Sequence, residues 1–231
     1  MQEFSGNDKM VHLVQVSPGL LPVIHRFGIR LGFGNRTVEE VCSAHGVNTA
    51  FFLAIVNTFH NKHYFPEEEL LAFSPLLIVD YLKKTHAYYV GFSLPQIEVL
   101  IHRLLESTPE QNNEMKMIET FYLAYKKKLL EHFTEEEQEV FPLVEKLVLQ
   151  PGSITNRAFD LNFEEEHEHV DLELDDLKNI ILKYLVPEYD ELVCNKLMEE
   201  IYRFEKDIHD HSRMEDAILI PQVQHLLKAG K

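Results

Sequence analysis

Apolar side chains recur at helical spacing from residue 79 to near the end of the chain. When each residue is given about 100° of rotation, the apolar positions of four segments fall on one face each. Breaks rich in Pro, Gly, Ser and Asn separate these segments near residues 107–113, near residues 150–162 and at Pro187. The apolar stripes extend from Val79 to Leu104, from Ile118 to Leu147, from Phe163 to Ile181 and from Leu197 to Leu226. Four amphipathic helices with short connections favour an antiparallel four-helix bundle.

The part of the chain before these stripes predicts shorter elements. Residues from about 18 to 62 are broken by Gly28, by the stretch 32–35 and by Gly46, which indicates several short helices. Thr37 with Glu40 three residues later is typical of a capping box at a helix N-terminus. We therefore expect an all-α protein, with a small helical N-terminal domain over residues 1–70 and an antiparallel four-helix bundle over residues 71–231.

Six polar residues interrupt the apolar stripes. Each stripe contains one histidine, and the second and fourth stripes each add a glutamate four residues after it; the six are His86, His132, Glu136, His167, His211 and Glu215. Residues four apart share a helical face, so all six side chains are expected to point into the bundle interior. A lone buried carboxylate would cost several kcal/mol. Two metal ions would offset that cost, so the pattern predicts a dinuclear metal site.

Other residues near these positions are expected to play ordinary roles. His102, His169 and His209 lie off the stripes and are predicted at the surface. The glutamates next to the predicted ligands, Glu137 among them, are expected to form a solvated acidic face. The first stripe includes Val90, and Pro95 predicts a kink in the same helix. Tyr89, Tyr122 and Tyr125 are expected to pack in the core.

An internal repeat links the second and fourth stripes. The pattern His-x3-Glu-x5-Pro begins at His132 and again at His211. With 13 histidines and 10 prolines among 231 residues, chance predicts well under one occurrence. The repeat indicates a pseudo-two-fold arrangement in which each helix pair contributes equally to the site.

The ligand types narrow the choice of metal. Imidazole and carboxylate ligands without thiolates suit iron or manganese and do not exclude zinc. We expect Glu136 and Glu215 to bridge two ions, with the four histidines divided two to each ion. The alternative is a metal-free set of His–Glu contacts, which would place six polar groups in an otherwise apolar centre.

The motifs around these residues resemble those of a known family. They read THAYY around His86, HFTEE from His132, EHE around His167 and HSRMEDAILIP from His211. From about residue 76 the chain resembles the hemerythrin-like HHE domain, and as a whole it resembles the di-iron proteins for repair of iron centres. Matched residue by residue, the family's ligands fall on the same six positions. The resemblance implies a cofactor of two non-haem iron ions joined by an oxo or hydroxo bridge.

The resemblance also carries functional expectations. It implies repair of iron–sulfur clusters damaged by nitrosative or oxidative stress, through iron donation or redox chemistry, and dimerisation through the N-terminal domain. One departure is clear: the segment from Gly28 to Glu40 lacks the Cys-Cys pair that the family has there. The alternatives are a module that binds or senses O2 or NO without turnover, a di-metal oxidase or peroxidase, and a metal-free interaction protein.

Composition limits the partners and the compartment. A formal net charge of −16 opposes binding to nucleic acid or to anionic membrane surfaces. No stretch of about 18 apolar residues predicts a membrane span, and the first residues do not resemble a secretory signal. The two cysteines, Cys42 and Cys194, form no paired motif, so no disulfide framework is expected. These features favour a cytoplasmic protein.

Overall fold

The computed structural model describes residues 3–61, 63–107, 113–150, 163–185 and 188–229. The side chains at 113–115, 163–172 and 228–229 lie outside this description. Within the described ranges the secondary structure is helical, and the only β-type pairing is an isolated antiparallel bridge between Lys9 and Thr37. The prediction of an all-α protein is confirmed.

The α-helices fall into a group of short elements followed by longer ones. They are α1 (Met10–Val16), α2 (Leu21–Arg26), α3 (Val38–Ala44), α4 (Thr49–His60), α5 (Glu67–Ala72), α6 (Pro75–Tyr88), α7 (Leu94–Glu106), α8 (Asn113–Glu135), α9 (Phe141–Leu149), α10 (Phe163–Tyr184), α11 (Glu191–Met214) and α12 (Ile220–Ala229). The predicted capping box begins α3, where the Thr37 hydroxyl accepts from the Glu40 amide and the Glu40 carboxylate accepts from the Thr37 amide.

Three π-helical segments join consecutive long helices without a break. They are π1 (Tyr89–Ser93) between α6 and α7, π2 (Glu136–Val140) between α8 and α9, and π3 (Glu215–Leu219) between α11 and α12. In each, the amide that follows the segment donates to the carbonyl five residues earlier; the donors are Leu94, Phe141 and Ile220. Each π-segment therefore inserts one extra residue into a continuous helix.

Prolines explain where the π-segments lie. Pro95, Pro142 and Pro221 each occupy the second position of the α-helix that follows a π-segment. A proline cannot donate a backbone hydrogen bond, and its ring clashes with the carbonyl four residues earlier. Widening the preceding turn relieves this clash. The kink predicted at Pro95 is thus a π-segment immediately before it.

The long helices contact one another in a closed series. α7 contacts α8 and α11, and α10 contacts α8 and α11. The buried apolar side chains of this group form one cluster, which extends from Tyr89 on π1 to Ile208 on α11 and includes Ile101, Leu129 and Leu177. Most of the apolar stripe residues whose side chains the structure describes are buried, whereas Leu143 and Leu226 are half-buried and Val90 is 46% exposed. Tyr89, next to Val90, is buried. Both residues belong to π1.

A second apolar cluster connects the short N-terminal helices to the far ends of the long runs. It includes Phe4, Phe52 and Tyr81, together with Phe141 on α9 and Ile218 on π3. The side chains of α1–α5 are therefore buried partly against α6, α9 and α12. The proposed boundary near residue 70 stays a prediction. None of the described helices has both the length and the apolar character that crossing a membrane requires.

Candidate metal centre

Four of the six predicted ligands meet in one buried cluster. His86, Glu136, His211 and Glu215 each offer one ligand atom, and these four atoms lie within 4.8 Å of one another. The side chains of all four are at most 2% exposed. The Nε2 atoms of His86 and His211 are 3.1 Å apart. His211 Nε2 is also 3.1 Å from Glu215 Oε1.

The two carboxylate oxygens of Glu136 face different histidines. Oε2 lies 3.3 Å from His86 Nε2, and Oε1 lies 3.5 Å from Nε2 of His132. His132 therefore lies beside the cluster, with its side chain 10% exposed. A carboxylate placed between two imidazoles is suited to bridge two ions. His167 is part of α10, but its side chain lies outside the described residues, so its role as a ligand stays a prediction.

The π-segments set the positions of the ligands. Glu136 is the first residue of π2 and Glu215 is the first residue of π3, while His132 and His211 lie in the α-helical turn just before. In the repeat His-x3-Glu-x5-Pro, the histidine thus lies in the last turn of an α-helix and the glutamate begins a π-segment. The proline lies in the first turn of the next α-helix, where it favours the π-segment before it. A partial third copy exists on the first run, where Tyr89 begins π1 and Pro95 follows six residues later. π-Segments often occur at functional sites.

A carboxylate outside the cluster orients His86. Glu137 Oε1 lies 3.1 Å from His86 Nδ1. If Nδ1 carries the proton and donates it to Glu137, Nε2 is left with its lone pair directed at the cluster, as in many metal sites. This hydrogen bond lowers the pKa of Glu137. Glu137 is half-exposed, so it lies on the solvated face and also contacts His86 through one carboxylate oxygen.

Aromatic rings enclose the ligands. The Phe133 ring stacks on His86 with centroids 4.1 Å apart, and Phe141 stacks at 5.6 Å. Tyr89 contacts His211 edge to face at 5.8 Å. Tyr89 therefore lines the site, whereas sequence spacing favoured ordinary core packing. These rings keep water from the ligands and fix the planes of the imidazoles.

A second buried polar cluster lies next to the first. Arg26 of α2 makes a two-pronged ion pair with Asp207 of α11, and its side chain is fully buried. The Tyr89 hydroxyl donates to Asp207 Oδ1 at 3.0 Å. Burial lowers the pKa of Arg26, but the charge and hydrogen bond of Asp207, with contributions from Tyr89 and Tyr81, together outweigh this, and the pKa is raised above its ordinary value. Burial, with Asp207, raises the pKa of Tyr89, so its hydroxyl stays protonated. Sequence periodicity gave no sign of this cluster, since Arg26 lies in a short helix.

The donor set fits a metal ion. The cluster contains two carboxylates and two imidazoles. Buried carboxylates close together repel each other and are expensive to desolvate. A bound cation removes both penalties, and nitrogen and oxygen ligands of this kind suit iron, manganese or zinc. The described residues therefore form a buried His/Glu group that could hold a metal ion.

The remaining sequence expectations can be compared with the structure directly. His102 is 56% exposed at its side chain, and His209 is exposed, as predicted. The side chain of His169 lies outside the described residues. Cys42 is fully buried, and burial raises the pKa of its thiol to about 11. Cys42 is therefore a core residue with an unreactive thiol.

Comparison with known proteins assigns the chain to no family. The chain matches no protein-family model, and a search of curated proteins returns no match to it.

Proposed function

We propose that this chain is a non-haem di-iron protein, in which the four long helical runs form an antiparallel hemerythrin-like bundle around two iron ions. The observation that carries the proposal is the buried cluster of His86, Glu136, His211 and Glu215, whose ligand atoms lie within 4.8 Å of one another. The closed series of contacts among α7, α8, α10 and α11 supports the bundle. The motif resemblance supports iron as the metal.

Each residue has a defined task in this proposal. Glu136 would bridge the ions, because its two oxygens face two different histidines. Glu215 would bridge from the opposite helix by the internal repeat, and His132 and His167 would complete the set. Glu137 would accept a hydrogen bond from His86 Nδ1 and so keep the proton on that nitrogen. When bound, the iron pair would supply reversible one-electron chemistry and an open position for a small ligand.

For the biological role, we propose repair of iron–sulfur clusters damaged by nitric oxide or oxidants, in the cytoplasm. The carrying argument is the set of motifs shared with the repair-of-iron-centres family. In that role a damaged iron–sulfur protein is the partner, and residues 1–70 provide a dimerisation domain. The missing Cys-Cys pair means that any transfer must rely on the His/Glu ligands and not on N-terminal thiols.

A second candidate is a module that binds or senses O2 or NO. The enclosure of the ligands favours it, because Phe133 and Phe141 stack on His86 and the four clustered side chains are almost fully buried. Such a site admits a diatomic molecule more readily than a protein-bound cluster. The absence of the Cys-Cys pair also favours binding without transfer.

The first test is elemental analysis and an ultraviolet–visible spectrum of the protein purified from iron-supplied cells. We expect about two irons per chain, as the bridging ligand set requires. No metal, or zinc alone after iron reconstitution, would overturn the di-iron proposal. Iron transfer to a nitrosylated iron–sulfur protein would then support repair, whereas reversible stoichiometric NO binding with full retention of iron would favour the gas-binding module.

A further inference from the structure

A cavity of about 930 Å³ is lined by residues of the N-terminal region and of the outer face of α6. Its lining includes Pro22 and Arg26 of α2, Lys84 and Tyr88 of α6, and Gly91 of π1. Residues 84 and 88 lie roughly half a turn from His86 around the helix, so they face away from the metal ligands. The cavity is therefore a separate site from the candidate metal centre.

The charge of this cavity opposes that of the whole protein. The chain carries 38 acidic and 22 basic residues, yet the charged residues that the structure describes in this lining are Arg26, Arg30, Lys84 and Arg203, all of them basic. His25 also lines it. Such a local concentration of cations in an acidic protein attracts an anion.

Three of the four cationic side chains, those of Arg30, Lys84 and Arg203, are available to contact a ligand in the cavity. Arg26 is held by Asp207 in a buried ion pair. Lys84 pairs with Asp80 and Arg203 with Glu200, but both pairs join neighbours on one helix at the surface, where such pairs contribute little. Arg30 is exposed and makes no ion pair or hydrogen bond with the described residues. Arg30, Lys84 and Arg203 are therefore available to bind an anion, whereas Arg26 is held by its buried ion pair.

One wall of the cavity is aromatic. The rings of Tyr88 and Phe92 lie 5.2 Å apart, and Arg26 lies over Tyr88 at 4.9 Å from the ring centroid. Phe92 is 46% exposed and Leu21 is 38% exposed, although both are large apolar residues. Exposed apolar side chains beside a cavity are typical of a binding site.

We propose that this cavity binds a small aromatic anion. The planar ring would pack against Tyr88 and Phe92, and a carboxylate, sulfonate or phosphate group would take Arg30, Lys84 and Arg203 as partners. An inorganic anion would leave the aromatic wall exposed, and an uncharged ring would not use the positive charge of Arg30, Lys84 and Arg203. Both features together select a ligand that carries a ring and a negative charge.

The test uses naphthalenesulfonate as the probe and naphthalenesulfonamide, substituted at the same ring position, as its neutral analogue. Isothermal titration calorimetry on the full chain is expected to show one saturable site for the sulfonate. The sulfonamide should bind about tenfold more weakly, because it lacks the charge. Equal binding of the two probes would overturn the proposal.

Variants locate the site. Gly91→Trp should abolish binding by filling the cavity, whereas Gly91→Ala should preserve it, since a Cβ at Gly91 meets no atom within 4 Å. Arg30→Glu should weaken binding about tenfold, while Arg103→Glu, an equal charge change on α7 outside the cavity, should not. If Gly91→Trp loses helical content, the comparison of probe binding between Arg30→Glu and Arg103→Glu tests the location of the site. Unchanged binding in Arg30→Glu would place the probe elsewhere and end the proposal.

Discussion

Two buried polar clusters lie side by side along α11 and π3, and they differ in the group that balances their negative charge. Asp207, His211 and Glu215 follow one another at four-residue spacing, which places them along one helical face. Asp207 belongs to the cluster with Arg26 and Tyr89, where a fully buried cation matches the carboxylate. His211 and Glu215 belong to the cluster with His86 and Glu136.

The difference between the clusters lies in their charge balance. The Arg26 cluster joins a cation, an anion and a neutral donor, so protein groups alone balance its charge. The His86 cluster joins carboxylates and imidazoles, and its anionic charge is best balanced by a cation from outside the chain. The first arrangement is typical of a structural connection between helices. The second is typical of a metal site, and the predictions below test whether the two can be separated.

The largest expected effect is on metal content. Glu136→Ala removes the carboxylate that lies between His86 and His132, so we expect the variant to lose at least half of the bound iron. Elemental analysis of the folded protein measures this loss. Glu135→Ala is the matched control, because Glu135 is exposed and precedes the cluster by one residue. Full iron retention in Glu136→Ala would contradict the bridging role of Glu136.

The next largest effect is on stability, in the other cluster. Asp207→Ala leaves the Arg26 charge buried without its carboxylate, so the free energy of unfolding should fall by about 3–5 kcal/mol. Equilibrium urea denaturation measures the change. The double variant Arg26→Met with Asp207→Leu should recover much of the loss, because no uncompensated charge remains. Iron per folded chain should stay unchanged; a proportional loss of iron would show that the two clusters act as one.

The two clusters also differ in how well the sequence predicts them. His86, Glu136, His211 and Glu215 were predicted because long amphipathic helices repeat at 3.6 residues, so a polar residue on an apolar stripe is conspicuous. Arg26 lies in a six-residue helix, where no periodicity can be measured. Its pairing with Asp207 joins residues 181 positions apart, and only the packing of α2 against the long helices creates it.

The form of the helices at the π-segments could not be predicted in detail. A fixed rotation per residue placed Val90 on the buried face, whereas in π1 Val90 is 46% exposed and Tyr89 is buried. The prolines at 95, 142 and 221 were visible in the sequence, but proline predicts a disturbed helix and not the form of the disturbance. The role of His167 and the domain boundary near residue 70 stay predictions.

A smaller effect on the metal centre is expected from the residue that orients His86. Glu137→Ala removes the partner of His86 Nδ1, and loss of such an outer partner typically lowers metal affinity about 10–100-fold. Competition with a chelator of known affinity measures the change. Glu139→Ala is the control, since Glu139 is an exposed glutamate in the same π-segment. Equal affinity in both variants would mean that the Glu137 contact does not orient the ligand.

The smallest effect concerns Tyr89, which touches both clusters. Tyr89→Phe keeps the ring beside His211 and removes only the hydroxyl that donates to Asp207. Losing one buried hydrogen bond to a charged partner should lower the free energy of unfolding by about 1–3 kcal/mol, less than Asp207→Ala. Iron content and the absorption spectrum should not change, because the ring still encloses the ligands. A shifted spectrum with unaltered stability would instead assign the Tyr89 hydroxyl to the metal centre. The two clusters would then share a functional residue, Tyr89, in addition to helix α11.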